Sequence, residues 1–389
     1  MKLLGNFKLA LGGLLVAGLA ACGGGGGGSA DSGTLRLAMT DAPACGYDAV
    51  NVTIQKIRVN QSSSAGDTDA GWSEVVLNPA MHVNLLDLTN GVLAELGQTP
   101  LPAGKYTQLR LVLADNSSAN PLANSVVPTT SMTEVALKTP SGQQSGLKAN
   151  IDIDVAANQM ADFVLDFDAC KSVVAAGGSG QYLLKPVVTV IPRYVSGVAG
   201  FVDATLAANG NTSVSLQQGG VVVKATMPDS TGKFLLQPVA PGNYTLVMTA
   251  PGRTTAIVTN VPVAADTVTS VNASGTPLNP PVSNSGTVNG TAPVNTLVRV
   301  LQPLTGGSTV EVAGRFVDGT TGSYSYLLAV NAPLVAPFVA APGSLVFAAD
   351  TAAAGKYTLD ASLSGFADKT ATLPTLASGA TITTNFTFP

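Results

Sequence analysis

This chain of 389 residues has one histidine, three cysteines and one tryptophan, and charged residues make up only 11% of it. Each shortage excludes a class of function. A zinc site draws several ligands from Cys and His, and a lone His82 with no close cysteine pair does not supply them. A Ser-His-Asp triad would have to use His82 too. It lies in Ala80-Met81-His82-Val83-Asn84, with no Gly-x-Ser-x-Gly elbow leading into a helix, so a partly exposed strand or loop histidine is expected and the protein is read as no enzyme. The net charge is −4 and the basic residues form no block, which argues against a nucleic-acid partner. The glycine run Gly23 to Gly28 lacks the flanking strand and helix of a phosphate-cradling loop. After the first 21 residues, no stretch is long and apolar enough to span a membrane.

What the chain does have is Ala, Val, Thr, Ser, Asn and Gly, the composition of strands and tight turns rather than long amphipathic helices. Alternating apolar residues mark the strands. Leu35, Leu37 and Met39 share one parity, as do Val50, Val52 and Ile54, after which the pattern slips to Ile57 and Val59 as a bulge would cause. Leu109, Leu111 and Leu113 repeat the signal, followed by Ile151, Ile153 and Val155, then Phe163, Leu165 and Phe167. Tyr182 to Ile191 reads as one last strand of this region, and Asn90 to Leu96 as a short helix. The expected class is all-β, with tandem β-sandwiches of Ig-like or prealbumin-like type.

The N-terminus reads as an export signal. Lys2 and Lys8 precede an apolar stretch, Leu9 to Ala20, of about a dozen residues, short of the roughly 20 that span a bilayer. It ends in Leu19-Ala20-Ala21-Cys22, which resembles the lipobox of bacterial lipoproteins. The resemblance implies a signal over residues 1–21, a lipidated Cys22 and a membrane partner reached through that anchor. Gly23, where an Asp often marks inner-membrane retention in that family, points to the outer membrane. Residues 22–33 form a glycine-rich tether; about ten such residues span about 17 Å. With Cys22 acylated, Cys45 and Cys170 remain, and an oxidising compartment makes their disulfide the natural reading, against two unrelated buried thiols. It would close a loop of more than 100 residues, contributing at most about 4–5 kcal/mol in the chain-entropy account.

Within residues 34–193, the stretches Leu35-Arg36-Leu37-Ala38-Met39-Thr40-Asp41-Ala42-Pro43, Val50-Asn51-Val52-Thr53-Ile54, Leu85-Leu86-Asp87-Leu88 and Leu101-Pro102-Ala103-Gly104-Lys105-Tyr106 together resemble an uncharacterised domain family of bacterial lipoproteins. The resemblance implies a β-rich domain and carries over no catalytic residue.

The remainder contains a duplication, residues 194–279 and 284–389. Val195-Ser196-Gly197-Val198 corresponds to Asn284-Ser285-Gly286-Thr287-Val288, Asp229-Ser230-Thr231-Gly232 to Asp318-Gly319-Thr320-Thr321-Gly322, and Pro241-Gly242-Asn243-Tyr244-Thr245-Leu246 to Ala354-Gly355-Lys356-Tyr357-Thr358-Leu359. The Asp-to-Gly stretch predicts a turn with glycine at positive φ, and the Gly-x-Tyr step a strand whose tyrosine bonds back to the chain at a sandwich corner. Both copies resemble carboxypeptidase-regulatory-like domains of the carbohydrate-binding-like sandwich class, which implies non-catalytic modules. The second copy carries an insertion around Val330 to Ala353, and Asn279-Pro280-Pro281 reads as a stiff linker.

Two constellations are candidate binding sites. Asp152, Asp154, Asp166 and Asp168 would share one outer face if their strands formed a hairpin through Ala157-Asn158-Gln159. Like charges across a ladder repel, and a bound Ca²⁺ would relieve them; Lys148 or Lys171, on a plain solvated face, would do so more simply. Trp72, Tyr324 and Tyr326 are the rings that could serve as sugar platforms, with core or corner packing as the plainer reading. The expected function is a lipid-anchored, non-enzymatic envelope module that binds or displays, towards glycan or another envelope protein. The alternative is a structural spacer or assembly subunit.

Overall fold

The computed structural model describes residues 32–42, 46–140, 146–341 and 343–389. It is nearly all β, and none of its helices exceeds one turn. No helix among the described residues is long and apolar enough to cross a membrane. Cys22, Cys45 and the signal segment lie outside them.

In the first unit, Ser32–Ala42 is central to a four-stranded sheet, parallel to Met160–Asp168 and antiparallel to Ala94–Pro102. An eight-stranded sheet faces it, built around the long strand Tyr47–Asn60. Leu35, Leu37, Met39, Val50, Val52 and Ile54 are fully buried in the shared core, as the alternation predicted. The expected slip is a bulge: Tyr47–Asn60 shifts register between Ile54 and Lys56 against both Ser73–Asn84 and Gly104–Leu113.

Three expectations need correction. Asn90 and Gly91 both take positive φ (61° and 80°), so the segment turns and enters the strand Ala94–Pro102; the one-turn 3-10 helix lies earlier, at Leu85–Leu88. Tyr182 to Ile191 is two strands, Gln181–Leu184 in the larger sheet and Val188–Pro192 in the smaller. Leu147–Val155 and Met160–Asp168 do not form a hairpin. They belong to opposite sheets, and the chain arches between them through Asn158 at φ 58°.

The second and third units repeat one topology. Each pairs a three-stranded sheet with a sheet whose first four strands follow one order: Val221–Thr226, Ser213–Gln218, Gly242–Thr249 and Ala256–Val263 in the second, and Thr309–Phe316, Leu297–Pro303, Thr358–Ser362 and Lys369–Thr372 in the third. The Asp-to-Gly turns match as well. Gly232 (φ 85°) and Gly322 (φ 68°) each back onto a carbonyl, and a Cβ would meet Val202 O at 2.0 Å or Ala292 O at 2.1 Å. Tyr244 makes the expected corner, its hydroxyl donating to Ala240 O at 2.8 Å, whereas Tyr357 donates to Ala329 O at 2.5 Å. Tyr106 of the first unit makes the Tyr244 contact too, donating to Pro102 O at 3.0 Å.

The insertion of the third unit has a definite role. Its strand Leu334–Pro337 pairs in parallel with Ala256–Val263 of the second unit, and Ala348–Ala349 pairs beyond it. The equivalent edge in the third unit is the short Lys369–Thr372, polar and charged as exposed edges are. The second unit's edge contains Ala256, Ile257 and Val258, all buried, and the insertion covers it.

Candidate functional site

The three units meet rather than running end to end. On the first, Asp166 shares its strand face with Val164, a face that alternation alone would turn to water. Both are buried because the second unit packs there, and Lys224 Nζ reaches Asp166 Oδ1 at 2.6 Å with the lysine only 2% exposed. Burial is the main influence on the Asp166 carboxyl and leaves it above the usual range, against the opposing pull of Lys224. Asp168 caps the turn Ala169–Ser172 by accepting from Lys171 N at 2.9 Å. Lys171 Nζ then bridges Asp168 Oδ2 (3.2 Å) and, on the third unit, Glu311 Oε1 (3.3 Å).

Glu311 is where the units lock. Arg299 Nε donates to its Oε2 at 2.7 Å, and Arg299 Nη1 continues to Asp360 Oδ2 at 2.9 Å. The backbone of Glu311 exchanges two hydrogen bonds with the Gln217 carboxamide of the second unit, at 2.7 and 2.8 Å. One residue of the third unit thus holds the first through Lys171 and the second through Gln217. Buried ion pairs add little net stability over an apolar contact, but breaking one strands a charge. A cavity of about 250 Å³ opens at this junction, lined by Asp168, Lys171, Ser215, Glu311, Arg315 and Tyr326 among others.

The four acids expected to share a face are therefore dispersed. Asp166 is committed to Lys224, and Asp168 to Lys171 and a helix end. Asp154 is exposed, and Asp152 on the far sheet pairs with Lys105 at 2.7 Å. Lys171 neutralises Asp168; Lys148 instead donates to Ser63 O at 3.0 Å. No cluster of three metal-binding side chains occurs among the described residues, so the geometry proposed for Ca²⁺ is not formed.

The aromatic candidates are not open platforms. Trp72 is half-buried, packed by Arg58 and Arg110 at 4.5 and 4.7 Å from the ring, with Nε1 donating to Gly66 O at 2.8 Å. Tyr324 and Tyr326 point into the core, their hydroxyls donating to Thr384 O and Val298 O, both at 2.5 Å. Exposed His82 joins Thr53 Oγ1 through Nδ1 at 2.9 Å; because that hydroxyl donates to Ala123 O, the ring nitrogen is the donor. Cys170 is disulfide-bonded, beside the junction.

Sequence reasoning missed a cleft between the first and third units, of about 670 Å³. Tyr47, Asn289, Arg315, Asp318, Ser325 and Asn385 contribute to its walls. Tyr47 stacks edge-on against Tyr182, centroids 5.9 Å apart. A third opening, about 580 Å³ and mainly apolar, lies between the second unit and the insertion, with Leu278, Leu334 and Phe347 in its lining.

Residues 32–186 match a family model described as a domain of unknown function, DUF4382. No curated protein matches the sequence. Among solved structures, a cohesin–X-dockerin complex from Acetivibrio cellulolyticus is 26% identical over 21% of this chain and 55% of that one, with a TM-score of 0.18. The Bacillus anthracis TIE protein is 13% identical over 92% of this chain and 51% of its own, with a TM-score of 0.19. The chain thus spans little more than half the length of either. The major pilin subunit of Bacillus cereus, BcpA, is 11% identical over 92% of this chain and 99% of its own, with a TM-score of 0.12.

Proposed function

We propose that this is a non-enzymatic cell-envelope protein, lipid-anchored at Cys22 in the outer membrane, that carries its three sandwiches as one rigid body for binding or display. The observation behind the rigid body is Glu311, tied to Lys171 of the first unit and Gln217 of the second. The anchor rests on Leu19-Ala20-Ala21-Cys22 and the glycines that follow. A Cys45–Cys170 disulfide fits the same oxidising compartment and would brace the turn that bears Lys171. The second and third units, with their shared topology, are assigned to the carboxypeptidase-regulatory-like class. The non-enzymatic reading is supported by His82, which has Thr53 rather than an acid on Nδ1.

Carbohydrate is the ligand class we favour, with the cleft, whose walls include Tyr324, rather than Trp72 or Tyr326 as its place. The spacer alternative draws on the same locked junction, since a stiff body holds a partner at fixed distance. Membrane fractionation with acyl labelling tests the anchor: the wild type enters the lipid fraction carrying acyl mass, and Cys22→Ser does not. A serine variant that stays membrane-bound, with no acyl mass on the wild type, overturns the proposal. Glycan-array binding separates the binding module from the spacer.

A further inference from the structure

The cleft between the first and third units has an unbalanced hydrogen-bond inventory. Its carboxylate and carboxamide oxygens are used internally. Asp318 Oδ1 accepts from Thr320 N and Thr321 N at 3.0 and 2.7 Å, and Oδ2 accepts from Gly177 N across the units at 2.8 Å. Asn385 Oδ1 takes Thr291 N at 2.9 Å, and Asn289 Oδ1 takes the Thr383 hydroxyl at 2.7 Å. The donors are left over. Both carboxamide NH₂ groups, the Ser325 hydroxyl and the Tyr47 hydroxyl have no hydrogen-bond partner among the described residues. Arg315 is exposed and lies over the Tyr326 ring at 4.9 Å. It gives one N–H to Ser325 O and, among the described residues, has no carboxylate within ion-pair distance. A guanidinium carries five N–H donors, so most remain available.

We infer that this cleft binds an anionic saccharide, its acid group on Arg315 and its hydroxyl and ring oxygens on Asn289, Asn385, Ser325 and Tyr47; this inference rests on the binding-module reading above. The ligand must be rich in acceptors and negatively charged. A peptide backbone brings N–H groups that the engaged carboxylate and carboxamide oxygens leave to the hydroxyls alone, whereas sugar hydroxyls accept as readily as they donate. The cleft volume suits a small organic ligand rather than a bare anion. The Tyr47 hydroxyl is held protonated, pushed up to about 12 by burial with Tyr182 adding and Arg315 opposing, so it acts as a donor throughout the neutral range.

Titration calorimetry on the full chain in detergent, with trigalacturonate, its methyl ester and inorganic phosphate as probes, decides the matter. Saturable binding of trigalacturonate is expected, about tenfold or more weaker for the uncharged ester and for Arg315→Gln. Tyr47→Phe, which removes one hydroxyl alone, should weaken binding a few-fold with melting unchanged. Absence of saturation in the millimolar range, equal affinity for the ester, or wild-type affinity in both variants overturns the inference. Phosphate binding as tightly as the trisaccharide overturns the saccharide assignment. None of these outcomes bears on Cys22 acylation, so the cleft and the anchor fail separately.

Discussion

Asp41 and Ala169, 128 positions apart, are joined by a buried hydrogen bond: Asp41 Oδ1 accepts from Ala169 N at 3.0 Å. The bond fixes the start of the turn that carries Cys170 and Lys171. Thr40 beside it donates to Leu88 O at 2.9 Å. The stretch Met39-Thr40-Asp41 therefore ties the first strand to two distant segments, a structural reason for its polar pair.

Asp41 is 1% exposed, its Oδ2 has no partner, and burial sets its carboxyl well above the usual range, against the pull of the Ala169 N–H. A carboxyl raised in the folded state holds its proton more tightly there than in the unfolded chain, so its contribution to stability falls as pH rises through the folded value. Asp41→Asn removes the charge and keeps the acceptor. Its melting temperature should exceed wild type by about 2 °C or more at pH 8, with the gap closing as pH falls towards 4; thermal melts across that range check this.

Lys224→Met strands Asp166 inside the interface and should destabilise the chain by about 3–5 kcal/mol. Replacing both, Asp166→Leu with Lys224→Met, should recover most of that loss. Chemical denaturation of the two variants measures the difference.

Replacing Leu334–Pro337 by Gly and Ser bares the Ala256–Val263 edge. An unpaired apolar edge recruits another chain, so sedimentation velocity should show more self-association than wild type.

Gly232→Ala forces a Cβ into the Val202 carbonyl, whereas Gly252, also at positive φ, has open space around it. Gly252→Ala should cost about 1–2 kcal/mol, the left-handed penalty alone, and Gly232→Ala distinctly more. Paired urea titrations separate them.

Alternation exposed much of the fold, because residues such as Leu35, Leu37 and Met39 repeat with the period of a strand whose two faces differ. It cannot say which sheet the next strand joins, which is why the acids of Leu147–Val155 and Met160–Asp168 looked adjacent and are not. Nor can it show which polar face a neighbouring unit covers, so Asp166 reads as solvated. Tyr324 and Tyr326 share a parity as expected, but Ser323, Ser325 and Leu327 take the outer face, with Leu327 72% exposed. The Gly-x-Tyr step is legible in the two copies of the duplication; Gly104-Lys105-Tyr106 makes the same corner as Tyr244 in a unit that shares no other repeat signal with them.

The borrowed strand also sets an order of events during synthesis. Val263 leaves the ribosome some seventy residues before Leu334, so the second sandwich waits half-dressed until its neighbour's segment arrives. During that interval the bare edge is open to pairing with other chains, and factors that escort unfolded polypeptides would find their target here.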